Sequence, residues 1–297
     1  MMIVADWGTT NFRVYSCDDG GNILDRVESG QGIKSIAKGG YPAVLGRTTA
    51  LLAGGDGGPI FVCGMASSRN GWIETPYCET PLCLEGLARE LIPLPEPLDG
   101  YILPGACTRL PDGTRDVMRG EEIQIFGAVK HFNMDNGILC LPGTHSKWVR
   151  VRHGKITEFA TFLTGDIFQS LSQTILNCDI AAPHSPQAFE QGLQAAKGGD
   201  FGLLHRLFAA RARVLDGALE PAHLSAYVSG LLVGHELAEA QAWRVSGETV
   251  TIIGAEKLCR RYGEALIFLG EKSIKLDSSV ATCTGVAALR HVLAGEG

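Results

Sequence analysis

Short apolar runs broken by glycine-rich turns open the chain, and the same grammar returns past its middle. Met2 to Ala5 reads as a strand, DWGTTN as a turn and Phe12 to Cys17 as a second strand. DDGGN then supplies hairpin-turn residues, and Ile23 to Val27 returns as a third strand. In the second occurrence Gly137 to Leu141 is the apolar run and PGTHSK the turn. Trp148 to Val151 alternates, RHGK turns and Ile156 to Phe162 returns. Gly8-Thr9 matches Gly143-Thr144, and the following hairpin turns fall at similar distances. Two strand-turn-strand units in one chain predict duplicated domains.

Between the copies, PIFVCGM reads as a strand. It follows the glycine-rich AGGDGGP directly, which makes that stretch a surface turn and not a phosphate cradle, since no helix follows. IPLPEPLDG is a proline-stiffened connector. Ile123, Phe126, Val129 and Phe132 recur at helical spacing after Gly120, as do Ile167, Leu171 and Ile175 after TGD. Leu224, Val228, Leu231 and Leu232 form a stripe on a long helix, where Gly230 and Gly234 permit close packing. Thr249 to Ile253 predicts a strand, AEKLCRRYG a helix after Gly254, Ala265 to Leu269 a further strand, and Thr284 to Leu293 a last helix. The pattern is α/β, with a division near residue 130 into segments 1–130 and 131–297.

Composition narrows the classes. The 297 residues suit two domains, and 45% hydrophobic with 20% charged residues is globular usage. A net charge of -6 argues against a nucleic-acid partner but leaves room for a small anion held by local cations. No apolar run approaches the roughly 18 residues of a membrane span. Asp6 and Arg13 interrupt the only apolar start that a signal peptide would need, so the expectation is a cytoplasmic protein. Nine cysteines are scattered without C-x-x-C spacing; Cys78 and Cys83 are the closest pair, and nothing completes a zinc site around them. There is neither G-x-x-x-x-G-K-[ST] nor G-x-G-x-x-G, which excludes a P-loop kinase and a dinucleotide enzyme.

The chemistry concentrates in DWGTTN. An acidic residue at a strand end, followed by a tight glycine-threonine turn, can offer amide N–H groups and hydroxyls to phosphate oxygens. Asp6 beside that turn can hold a hydrated Mg²⁺. Alone, such a turn is equally an ordinary hairpin; the second copy, LPGTHSKW, makes a two-sided clamp to which Lys147 or His145 adds charge. The turn pair resembles the superfamily of actin, hexokinase and the heat-shock chaperones. That resemblance implies two actin-like, ribonuclease H-like domains with ATP in the cleft between them. Gly8, Thr9, Thr10 and Asn11 would grip phosphates from one side, and Gly143, Thr144, His145, Ser146 and Lys147 from the other. TIIGAEKL, with Gly254, resembles the superfamily's adenosine motif, and ATCTGVAAL its closing helix. RGEEIQIFGAV looks like the catalytic-carboxylate segment of glycerol kinase-type enzymes, with Glu121 on the position of their catalytic Asp. This departure leaves the base open between Glu121, Glu122 and Asp166.

A narrower resemblance, to the 2-dehydro-3-deoxygalactonokinase family, covers nearly the whole chain through DWGTTNFR, GMASSRNGW, RGEEIQIFGA, LPGTHSKWV and FLTGD. It implies ATP- and Mg²⁺-dependent phosphorylation of a small sugar acid. GMASSRNGWIETPY has no counterpart in the general superfamily pattern and is assigned to the acceptor. Arg69 can pair with a carboxylate bidentately, while Ser67, Ser68 and Asn70 offer hydroxyl-matching hydrogen bonds. Lys34, in GQGIKS, is a second candidate for that carboxylate. The alternatives are a kinase of the same fold acting on another metabolite and a non-kinase actin-like ATPase. A homo-oligomer is compatible with either.

Overall fold

The computed structural model describes residues 1–53, 58–174, 176, 178–179, 182–198, 200–243 and 247–295. Gly54 to Gly57 of the glycine-rich turn and Ile175 of the expected helical stripe lie outside them. The strands are β1 (Met2–Trp7), β2 (Phe12–Cys17), β3 (Ile23–Ser29), β4 (Ile60–Gly64), β5 (Tyr77–Glu79), β6 (Ile92–Pro93) and β7 (Gly100–Ile102). They continue with β8 (Gly105–Arg109), β9 (Arg115–Met118), β10 (Gly137–Leu141), β11 (Ser146–Arg152), β12 (Lys155–Phe162), β13 (Val250–Gly254) and β14 (Ser273–Asp277). The helices are α1 (Tyr41–Thr49), α2 (Leu84–Arg89), α3 (Glu121–His131), α4 (Thr164–Gln173) and α5 (Pro186–Ala196). After them come α6 (Leu203–Leu215), α7 (Leu224–Glu239), α8 (Glu256–Phe268) and α9 (Ser278–Leu293).

The duplication expected from the sequence appears as a repeated strand order. One sheet runs β3-β2-β1-β4-β7-β6 and another β12-β11-β10-β13-β14. In each, an apolar central strand (β1, β10) lies between the returning hairpin strand on one side and a later parallel strand on the other. β1 and β10 are buried almost throughout, as strands covered on both faces must be. A third, small sheet, β5-β8-β9, had no clear signal in the sequence.

The chain forms two compact units: Met1–Gly137 with Val149–Phe159 and Leu276–Gly297, and Ile138–Trp148 with Ala160–Lys275. A single cut near residue 130 does not describe this interleaving, because α9 packs within the first unit. One expected element changes type: Ala265 to Phe268 are not a strand but the last turn of α8, with Leu269 as its C-cap. Cys259, Tyr262, Ala265 and Leu266 are buried at helical spacing, so the apolar run continues a helix face. The strand that follows is β14 instead.

In each unit, among the described residues, a helix pair comes into backbone contact. In the first, α3 crosses α9 where a side-chain carbon on Gly127 would overlap the Ala281 carbonyl, and one on Gly285 the Ile123 carbonyl. In the second, α5 crosses α7 at Gly192 and Gly230, each of which would strike the other helix's backbone. Replacing Gly127 by Val therefore overpacks a closed crossing and costs about 1–3 kcal/mol or more in urea unfolding. Gly46→Ala is the matched control. Gly46 is exposed on α1 with nothing near its missing Cβ, so this change stabilises by roughly 0.5–1 kcal/mol.

Candidate functional site

In the first unit the turn after β1 is held from behind. Its carbonyls at Gly8, Thr9 and Thr10 accept from the amides of Ile33 (3.0 Å), Lys34 (3.3 Å) and Gly32 (3.1 Å). Gly32 must be glycine, since a Cβ there would overlap the Thr10 backbone. Among the described residues, the amide N–H groups of Thr9 and Thr10 have no backbone acceptor. The turn therefore turns its acceptors inward and keeps donors for an anion. Trp7, fully buried, underlies it: the indole stacks on Phe12 at 3.9 Å and donates to the Gln31 carbonyl at 2.8 Å.

Three carboxylates gather at the end of β1. Asp6 forms a 3.5 Å ion pair with Arg13, its cross-strand partner on β2. Burial raises the Asp6 pKa, Arg13 opposes the shift and Glu121 adds to it. The Asp6 carboxylate also lies beside Gly64, whose own backbone touches Gly120 ahead of α3. Both glycines have positive φ (83° and 101°), which lets β4 and the head of α3 meet next to Asp6. Glu121, half-buried, accepts the Arg119 N–H at 2.9 Å. Glu122 is fully buried, takes the Gly120 N–H on both oxygens, and is pushed up to about 8, first by burial and then by Glu121.

The segment from Met65 to Thr75 is wound on itself. Trp72 and Ile73 donate to the Ala66 carbonyl, Gly71 to Ser68, and Thr75 to Ser67. Trp72 packs edge-on against Trp7 at 6.3 Å and stacks on Tyr41. Arg69 and Asn70 project from the tip. Arg69 is 86% exposed, with only a loose 3.7 Å pair to Glu74. Ser67, expected to meet a substrate hydroxyl, is instead fully buried: it donates to Gly64 O and accepts from Arg119 Nη1 at 2.8 Å. Sequence reasoning missed Arg119. It is buried, bonds Ser67, the Thr75 hydroxyl (2.5 Å) and the Thr75 carbonyl, and lies 4.2 Å over the Tyr77 ring. It ties the Met65–Thr75 segment to the head of the carboxylate-bearing helix. Its position immediately before the glycine of RGEE was the available signal. Arg13 was missed as well, although a four-residue turn places it opposite Asp6.

In the second unit the turn Gly143-Thr144-His145 repeats the device. Thr144 O accepts the Asp166 amide at 2.9 Å, and Gly165 is pressed so close to Gly143 O and Thr144 that a Cβ would overlap them. Among the described residues, the amides of Gly143, Thr144 and His145 have no backbone acceptor. A Cβ on Gly143 would come no nearer than 3.8 Å to the protein, so the fold itself does not require glycine there. Thr144, His145 and Asp166 are exposed, as are Thr10, Asn11 and Lys34 of the first unit. Ser146 and Lys147 are buried in β11, where Ser146 Oγ meets Tyr262 OH at 2.9 Å. Lys147 thus leaves the turn surface where charge was expected. Gly254 is buried, with the Pro142 carbonyl 3.5 Å from its missing Cβ.

The doubled sheet with a glycine turn at the head of each copy is the fold of the actin-like ATPases. The activator of 2-hydroxyisocaproyl-CoA dehydratase from Clostridium difficile, solved with ADPNP bound, shares it at a TM-score of 0.57 and 12% identity, over 99% of this chain and 96% of that one. Within that class the chain belongs to the 2-keto-3-deoxy-galactonokinase family, whose model matches residues 6–289. A relative from Rhizobium meliloti named as a 2-dehydro-3-deoxygalactonokinase is 34% identical over 97% of this chain and 96% of its own length. The 2-dehydro-3-deoxygalactonokinase of Escherichia coli is 28% identical over 98% of each chain. A crystal structure from Sinorhizobium meliloti, assigned to the same enzyme, matches with a TM-score of 0.89 at 32% identity, covering 99% of both chains.

Glu122 makes stability depend on pH. Its folded pKa, about 8, lies above its ordinary 4.5, so between those values the folded protein binds more protons than the unfolded chain. Stability therefore falls as pH rises through that window. Asp6 shifts in the same direction, so the comparison with Glu122→Gln isolates Glu122. Urea midpoints of the two proteins should converge or cross in favour of Gln between about pH 5 and about pH 8.5. A constant difference would mean that Glu122 is ionised throughout.

Proposed function

We propose that this family member transfers the γ-phosphoryl group of ATP to the terminal hydroxyl of 2-dehydro-3-deoxy-D-galactonate, giving the 6-phosphate. The observation that carries the reading is the pair of turns with tied-back carbonyls and amides that have no backbone acceptor among the described residues, in a chain matched to this kinase family along nearly its whole length. Phosphoryl transfer needs positioning and charge neutralisation more than covalent help, and backbone amides supply both. The amides of Thr9 and Thr10, with Asn11, hold phosphate in one unit. Those of Gly143, Thr144 and His145 do so in the other, where the segment at Gly254 would meet the adenosine.

Asp6 would hold Mg²⁺ at the end of β1, where its carboxylate offers oxygens. Burial and the charge of the neighbouring Glu121 raise its pKa while Arg13 opposes them, and a divalent cation would favour the charged form. When bound, the cation neutralises charge on the phosphates. Glu121, at the head of α3, receives or orients the acceptor's hydroxyl proton. Glu122, buried against Gly120, holds that helix end in place. Arg69 and Asn70 meet the sugar acid, with Lys34 as the other cation in reach of its carboxylate. Among the described residues no helix is long and apolar enough to cross a membrane, and the reading is of a cytoplasmic enzyme.

A coupled assay with ATP, Mg²⁺ and a panel of 2-keto-3-deoxy sugar acids tests the reaction; ATP hydrolysis indifferent to every acid would sink it. Glu121→Gln should lower kcat with little change in nucleotide affinity. That pattern in Asp166→Asn, with Glu121→Gln nearly silent, would move the base to α4. Arg69→Ala should raise KM for the sugar acid about ten- to a hundredfold while sparing KM for ATP. The same loss in Lys34→Ala alone would shift the carboxylate site to that loop.

Gly143→Ala separates ligand from fold. Its Cβ meets open space in the protein, so Tm should be unchanged while KM for ATP rises. Gly165→Ala, which collides with the turn, should lower Tm. Equal ATP kinetics in Gly143→Ala and wild type would show that phosphate does not approach that backbone.

A further inference from the structure

Glu236, on α7, is buried with only 3% of its surface exposed, and no motif points to it. A carboxylate in such a position is costly unless donors surround it. Here they come from each segment of the second unit that the nucleotide reading uses. Trp148 Nε1, on the strand leaving the phosphate turn, donates to Oε1 at 2.9 Å. Tyr262 OH, on the helix following Gly254, donates to Oε2 at 2.6 Å. Ser146, the first residue after the turn, reaches the same tyrosine hydroxyl at 2.9 Å. Burial raises the Glu236 pKa, and the Thr164, Tyr262, Trp148 and Ser146 groups around it oppose that rise. Thr164 directly precedes Gly165 and Asp166, which close over Thr144.

We propose that Glu236 is a positioning residue for the nucleotide: it locks the phosphate turn, the head of α4 and the helix of the adenosine motif into one register, without touching the ligand. The claim rests on the reading of those segments as the nucleotide site. A core of this size needs no carboxylate to cohere, since Ile138, Cys140, Phe189, Leu231 and Ile252 already pack there. What the carboxylate adds is direction. Each donor has one acceptor to aim at, which fixes the Trp148 and Tyr262 side chains and, through Ser146 and Thr164, the two backbone segments whose amide and carbonyl groups shape the turn. The effect should therefore appear in nucleotide affinity and leave the acceptor's affinity alone.

The test uses the whole protein and measures ADP and AMPPNP binding by calorimetry without sugar acid, alongside steady-state KM values and Tm. Glu236→Leu should weaken nucleotide binding roughly tenfold or more and leave the sugar-acid KM within about twofold. Glu236→Gln keeps an acceptor for Trp148 and should recover most of that loss; Tyr262→Phe should show an intermediate weakening. A variant set whose Tm falls while nucleotide affinity stays at the wild-type value overturns the proposal and leaves Glu236 a stability residue. If Glu236→Leu does not fold, unchanged affinity in both Glu236→Gln and Tyr262→Phe overturns it equally. Wild-type protein that binds neither nucleotide would remove the nucleotide reading of these segments and the proposal with it, a failure distinct from wild-type binding that the variants match.

Discussion

A turn could hold phosphate only with its carbonyl oxygens facing away from it, and the structure depends on how that is arranged. Peptide groups carry donor and acceptor together, so exposing amides forces the carbonyls to find partners on the other side. Both turns solve this by bringing a second backbone segment into direct contact. Gly32 closes on Thr10, and Gly165 closes on Gly143 and Thr144, with amides of the closing segment bonded to turn carbonyls. The glycines that cannot be replaced are thus behind the turns. The glycine at the front of the second turn, Gly143, is free of that constraint.

Each arrangement is secured by a fully buried indole on a strand flanking the turn. Trp7 precedes the first turn and bonds the Gln31 carbonyl, holding the loop that carries Gly32. Trp148 follows the second and bonds Glu236. The two N–H groups end on different acceptors, one a backbone carbonyl in the loop behind the first turn and the other a carboxylate on α7. In the first unit Trp7 also meets Trp72, so the proposed acceptor loop and the first glycine turn share one aromatic support. The carboxylates of Asp6, Glu121 and Glu122 are brought near one another by Gly64 and Gly120, whose backbones touch where side chains would separate them.

Much of this was legible where local pattern and tertiary role coincide. The two hairpins and the head of α3 after Gly120 follow from alternation, turn residues and chain order, whereas the approach of Glu121 to Asp6 does not. Ala265 to Phe268 was not legible as helix because a short apolar run fits either period, and only the burial of Cys259 and Tyr262 on the same face decides it. Ser67 and Lys147 read as ligand contacts because serine and lysine usually face solvent; both are buried, Ser67 on Arg119 and Lys147 within β11. Arg119 and Glu236 escaped notice for the converse reason. Their partners lie 44 and 88 residues away, at Thr75 and Trp148, and no short-range spacing announces a bond of that span.

The interleaving of the two units bears on the order in which the protein can mature during synthesis. The second unit is complete once residue 275 has left the ribosome. The first, although it contains the earliest residues, still lacks α9 at that moment, and α3 has no helix to receive Gly127. Until residues 278–293 emerge, the apolar face of α3 beneath Glu121 and Glu122 stays uncovered, a natural target for holding chaperones. The carboxylates of the first unit are therefore set in place after the second unit is complete, and a nascent chain stalled late in translation would carry a finished second turn and an unfinished first unit.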